Sequence, residues 1–71
     1  MAEEVRAEIV ASVLDLVAGE GDQVAEGDTI MLLESMKMEI PVISESAGRL
    51  TRLAVGVGDV VREGTLLALV E

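Results

Sequence analysis

Apolar positions in this chain come in short bursts that never settle into a helical rhythm. Runs at 12–17, 30–33, 49–55 and 66–70 are rich in Val, Leu, Ile and Thr, and Gly, Asp or Glu-Gly cuts in between them. Side chains of the first kind fit a pleated, half-buried surface, while Gly and Asp supply turns. No stretch keeps a helical period for long without Gly or Pro interrupting it, which argues against a buried helix. Ile30-Met31-Leu32-Leu33 and Leu66-Leu67-Ala68-Leu69-Val70 are apolar throughout, the pattern of short strands covered on both faces. Regularly spaced strands with turn signals between them predict an all-β sandwich or barrel.

The pattern occurs twice. Displacing the chain by 37 positions aligns residues 5–34 with 42–71, and eleven of the thirty pairs are identical. Each half reads as an apolar run, Gly-x-Gly-Asp (Gly19 to Asp22; Gly56 to Asp59), a Val, Glu-Gly (Glu26-Gly27; Glu63-Gly64) and a second apolar run. Neither half could cover its own apolar face, so the two should pack as a pseudo-two-fold pair. Ser35-Met36-Lys37-Met38-Glu39-Ile40-Pro41 joins them, with a tight hairpin expected at Met36-Lys37. Equivalents of Lys37 would fall just outside residues 1 and 71, which puts the termini at the end of the barrel away from Lys37.

Composition narrows the chemistry. Seventy-one residues make one domain, 1–71, and a chain this short buries only about 60% of its unfolded surface. Eleven Val, nine Leu and four Ile, with no Phe, Tyr or Trp, require an aliphatic core. The absence of Cys and His excludes disulfides and thiolate or imidazole metal ligation, and it removes the commonest general base. Ser12, Ser35, Ser44 and Ser46 therefore lack an imidazole partner for nucleophilic catalysis. A net charge of −9 disfavours nucleic acid and anionic membranes as partners. Gly19-Glu20-Gly21 is no nucleotide fingerprint, because Val24 stands at the third glycine position. The acidic N-terminus lacks the apolar segment of a signal peptide, and a cytoplasmic monomer is expected. Lys37 is the only lysine, a nucleophilic amine on a flexible stem.

Glu34-Ser35-Met36-Lys37-Met38-Glu39 resembles the Met-Lys-Met signature of the biotinyl/lipoyl attachment domain family. The Gly-Asp-x-Val-x-x-Gly turn of that family is present twice, at Gly21 to Gly27 and Gly58 to Gly64. The resemblance implies a flattened eight-stranded β-barrel, a barrel-sandwich hybrid, with Lys37 on an exposed hairpin. It implies biotin joined to Lys37 by a biotin protein ligase, Met36 and Met38 as recognition flanks, and Glu34, Ser35 and Glu39 as the rest of the hairpin motif. It implies a non-catalytic carrier that moves carboxyl between the biotin carboxylase and carboxyltransferase subunits of an acyl-CoA carboxylase-type system.

Four departures qualify the likeness. Ala7-Glu8-Ile9-Val10-Ala11 lacks the Pro and Gly common in the first loop of biotin domains, so that loop is expected to differ in shape. Ser35 stands where Ala is common, and no insertion forms the thumb seen in some carriers. No Ala/Pro-rich linker is present, as in small free biotinylated proteins. Two other readings keep their place beside the main one. A lipoyl carrier would use the same hairpin, usually with Asp and Ala around the lysine where Met36 and Met38 stand here. An unmodified acidic interaction module would leave Lys37 idle.

Overall fold

Four glycines set the path of the chain. Gly21 and Gly27 have φ of 93°, and their repeat counterparts Gly58 and Gly64 have φ of 94° and 90°, a region that side chains with a Cβ rarely enter. An Asp closes the first turn of each half: Asp22 Oδ2 accepts from Gly19 N and Asp59 Oδ2 from Gly56 N, both at 2.8 Å. In the second turn Asp28 Oδ2 accepts from Ala25 N at 2.8 Å, while Thr65 Oγ1 accepts from Arg62 N at 3.1 Å. Sequence repetition thus becomes conformational repetition.

The computed structural model describes residues 2–71 and contains eight strands. They are β1 (Glu3–Arg6), β2 (Ala11–Leu16), β3 (Gln23–Val24), β4 (Thr29–Ser35), β5 (Met38–Ile43), β6 (Gly48–Leu53), β7 (Val60–Val61) and β8 (Leu66–Val70). Two four-stranded antiparallel sheets form, in the orders β1-β8-β6-β3 and β5-β4-β2-β7. Each sheet takes its two central strands from one half and both edge strands from the other. The turns cross over as well: Gly21 N donates to Leu50 O and Gly58 N to Val13 O, at 2.7 and 2.9 Å. Gly27 N likewise reaches Ser44 O, and Gly64 N reaches Ala7 O. The first loop, although it lacks Pro and Gly, therefore starts on the same main-chain bonds as its counterpart in the second half.

Between the sheets lies an aliphatic core of Val13, Ile30, Met31, Leu50, Val61, Leu67 and Val70, all nearly or fully inaccessible. Its strands are not covered on both faces, which corrects the expectation from the continuous apolar runs. Leu32 and Leu69 lie half-buried on the outer faces. The pairing register slips between Thr29 and Met31 in β4 against β5, and between Val5 and Arg6 in β1 against β8. Ile30 and Leu67 are the extra residues at these bulges, and each is 0% exposed. A bulge turns two successive side chains toward one side, so Ile30 with Met31, and Leu67 with Ala68, face a single core.

The chain ends lie far from the hairpin, as the symmetry requires. Ser35 pairs with Met38 at one end of β5, whereas Glu45, just past the other end, donates its N–H to Glu3 Oε2 at 3.3 Å. Gly48 sits where the C-terminal backbone approaches closely, and a Cβ there would collide with the Glu71 carbonyl.

The turns can be tested directly. Gly21→Val is expected to lose about 1–3 kcal/mol, the cost of forcing a side chain into sparsely populated backbone space. Urea unfolding should show a lower midpoint at unchanged slope. Gly19→Ala, at a glycine with no positive φ and only an ordinary contact at 3.7 Å, should stay within about 0.5 kcal/mol of wild type.

Candidate functional site

β4 and β5 form the longest hairpin of the molecule. Six register pairs run from Thr29 opposite Ile43 to Ser35 opposite Met38, leaving Met36 and Lys37 as a two-residue turn. Both have positive φ, 53° and 66°, which defines a type I′ turn, whose hand matches the twist of paired strands. Such turns favour Asn-Gly because left-handed backbone costs other residues roughly 1–2 kcal/mol each. Met36 and Lys37 carry that strain without an amide side chain or a missing Cβ to relieve it. The paired strands below hold the turn closed.

The structure brings every residue of the expected motif together at this tip. Glu34 and Glu39 are exposed and stand directly opposite one another in the ladder, a like-charge pairing that disfavours the hairpin. Ser35 is half-buried opposite Met38. Met36 is 92% and Met38 65% exposed, so neither methionine fills the core. Lys37 is exposed, and among the described residues the ion pair is Arg6–Glu4, at 2.9 Å. Among the described residues the Lys37 amine takes part in no ion pair and no side-chain hydrogen bond. Two bare methionines flank the amine, and two carboxylates stand one pair further down.

The buried Ser44 hydroxyl is committed to its own loop, where it donates to Ser46 O at 2.6 Å. Among the described residues no cluster of acidic side chains has the geometry to hold a metal ion. What the tip offers is a single primary amine, projected from a rigid barrel, with soft and uncharged neighbours. That suits acylation of the amine by another protein, and a long thin arm attached there would move freely in solvent.

Comparison with known proteins agrees with the geometry. The family model described as "Biotin-requiring enzyme" matches residues 3–70, and the chain belongs to that family of biotin- and lipoyl-attachment domains. A biotinylated protein TB7.3 homolog from Mycobacterium leprae (strain TN) is 59% identical over 70 residues, covering 99% of each chain. The biotin-dependent acyl-coenzyme A carboxylase alpha3 subunit of the same organism is 41% identical over 64 residues, which span 90% of this chain and 11% of that one. Among solved structures, the urea carboxylase of Kluyveromyces lactis matches 100% of this chain with a TM-score of 0.94 at 31% identity, over 6% of its own length. The family match and the biotinylated relative support covalently attached biotin as the cofactor.

Sequence reasoning located the tip but not its backbone. The usual sign of a type I′ turn, Asn-Gly or Asp-Gly, is absent, so the left-handed conformation of Met36 and Lys37 had no local signal. The strain has a measurable consequence. Met36→Asn should raise stability by about 0.5–1 kcal/mol, because Asn tolerates left-handed backbone better than Met. Thermal or urea melts check this, and a destabilised variant would contradict the turn assignment.

Proposed function

We propose that the protein is a biotin carboxyl carrier whose biotin is held in amide linkage to Nζ of Lys37. The observation that carries this reading is the placement of the only lysine at the apex of the strained hairpin, exposed and unpaired. Biotin, when attached, supplies a ureido ring that accepts carboxyl at one site and delivers it at another. The chain's own residues bind no substrate in this scheme. They display the arm, keep the tip clear of the termini, and hold the arm close to whichever active site the barrel docks against. Attachment to a carrier raises the local concentration of the travelling group without any new contact.

Met36 and Met38 fit a role in recognition rather than folding. Unbranched, polarisable side chains adapt to more than one groove, and a carrier must enter a ligase, a biotin carboxylase and a carboxyltransferase in turn. The similarity to segments of an acyl-coenzyme A carboxylase subunit and of a urea carboxylase supports this class of system. The protein itself is then a non-catalytic subunit. Amide formation removes the Lys37 charge and takes the formal balance from −9 to −10, leaving the Glu34 and Glu39 carboxylates without a nearby cation at the tip.

Co-expression with a biotin protein ligase tests the assignment. Intact mass should show one added biotin, streptavidin should bind the product, and Lys37→Arg should abolish both signals. Full labelling of that variant would overturn the site. A second expectation concerns the flanks: Met36→Ala with Met38→Ala should slow labelling while stability changes by less than about 0.5 kcal/mol, as for exposed positions. Buried methionines would instead cost about 2–5 kcal/mol each.

A further inference from the structure

Strands β1 and β5 are equivalent in the repeat, and both are edge strands: β1 pairs only with β8, and β5 only with β4. They face each other across an open seam between the two sheets. A groove of about 560 Å³ runs along it, and its apolar lining is Val5, Leu33, Ile40, Val42 and Ile43. Ile43 is 44% exposed there, and Pro41 sits on the β5 edge, where a missing N–H costs no ladder bond. The groove begins three residues beyond Lys37 and continues to Glu45 at the far end of β5.

The rim of the groove is acidic. Glu3, Glu4, Glu8 and Glu45 line it, against one cation, Arg6. Arg6 is already engaged, with Glu4 Oε1 at 2.9 Å and with the Gly64 carbonyl at 2.8 Å. Glu3 shows what is missing. Its Oε2 accepts from Glu45 N, but its Oε1 is shielded from solvent and accepts no hydrogen bond. A shielded carboxylate oxygen without a donor calls for a cationic or N–H partner. The two halves also differ here in a telling way, because Ile43 stands where the repeat has Arg6. At this position the second half presents an apolar side chain and the first half a charge.

We propose that this seam is a docking groove for an extended, basic segment of a partner protein. Its apolar side chains would lie against the apolar lining of Val5, Ile40, Val42 and Ile43, its Lys or Arg side chains would reach Glu3, Glu8 and Glu45, and the open edge of β1 would pair with its main chain. Exposed strand edges are ready templates for such pairing. A second copy of this chain is a poor occupant, since it would bring an acidic rim against an acidic rim. The groove would hold the barrel on a partner without engaging Lys37, so the proposal stands or falls separately from the biotin assignment.

Amide-resolved NMR on the full, unmodified chain tests it. The probe is a blocked hexapeptide of alternating Val and Lys, titrated to about 2 mM so that even a weak complex is populated. Shifts should centre on Val5, Ile40, Val42, Ile43 and Glu45 and leave Met36 and Lys37 unmoved. Peptides of alternating Ser and Lys, or Val and Glu, should bind at least about tenfold more weakly, since each lacks one of the two required chemistries. Glu3→Gln with Glu45→Gln should weaken binding about fivefold, the scale of rim charges. Ile43→Arg, a residue the repeat already carries at the equivalent position, should abolish binding while Lys37 still accepts biotin. Should that variant fail to fold, the Glu3 and Glu45 pair decides. The proposal is overturned by equal binding of the Ser-Lys or Val-Glu peptide, by shifts centred elsewhere, or by no shift at all. Concentration-dependent shifts of the same amides without peptide would assign the groove to a second copy and overturn it equally.

Discussion

The hydrogen bonds that the two halves exchange are the constraint on which everything else rests. Gly21 and Gly27 of the first half donate to Leu50 and Ser44 of the second, and Gly58 and Gly64 return the same bonds to Val13 and Ala7. Main-chain N–H groups need partners, and for these four turn amides the partner belongs to the other repeat. The edge strands are exchanged in the same sense, so each sheet is built from both halves. A small aliphatic core with no aromatic side chains becomes sufficient because the turns lock the two sheets in register over it. Half the chain would have neither a covered core nor satisfied turns.

That rigidity is what allows the tip to be locally unfavourable. Met36 and Lys37 hold left-handed backbone, and Glu34 faces Glu39 immediately below. Each feature disfavours the hairpin, and the remaining pairs of β4 with β5 offset both. Functional sites commonly store strain that the surrounding structure over-determines. Here the residues that would relax the turn, Asn or Gly in place of Met36 and Lys37, would also remove the amine or its apolar flanks. A lysine displayed at this turn conflicts with turn chemistry, and the barrel absorbs the difference.

Symmetry of the backbone does not carry over to symmetry of the surface. The repeat acts as an internal control: the turns, bulges and core positions agree between halves, whereas Arg6 and Ile43, or the hairpin at Lys37 and the two chain ends, do not. Where exposed positions differ between the halves, the shared backbone does not account for the difference. The hairpin is one such place, and the seam between β1 and β5 is another.

Much of this was legible in the residues themselves. The offset of 37 exposed the two halves, Gly and Asp marked the turns, and the single lysine between the halves marked the tip, because turns and chemistry depend on local residue type. The bulges at Ile30 and Leu67 were not legible. An unbroken apolar run is compatible with a strand covered on both faces, and only the pairing register shows that successive side chains turn to one side. The same limit applied to the methionines, which by composition could fill a core and by position stand 92% and 65% exposed. The groove was also invisible, since Glu3 and Glu45 lie 42 residues apart in the chain. Local chemistry determined the turns, the repeat and the reactive amine, whereas register, burial and the meeting of distant edges were decided by tertiary pairing, which depends on contacts that no local pattern encodes.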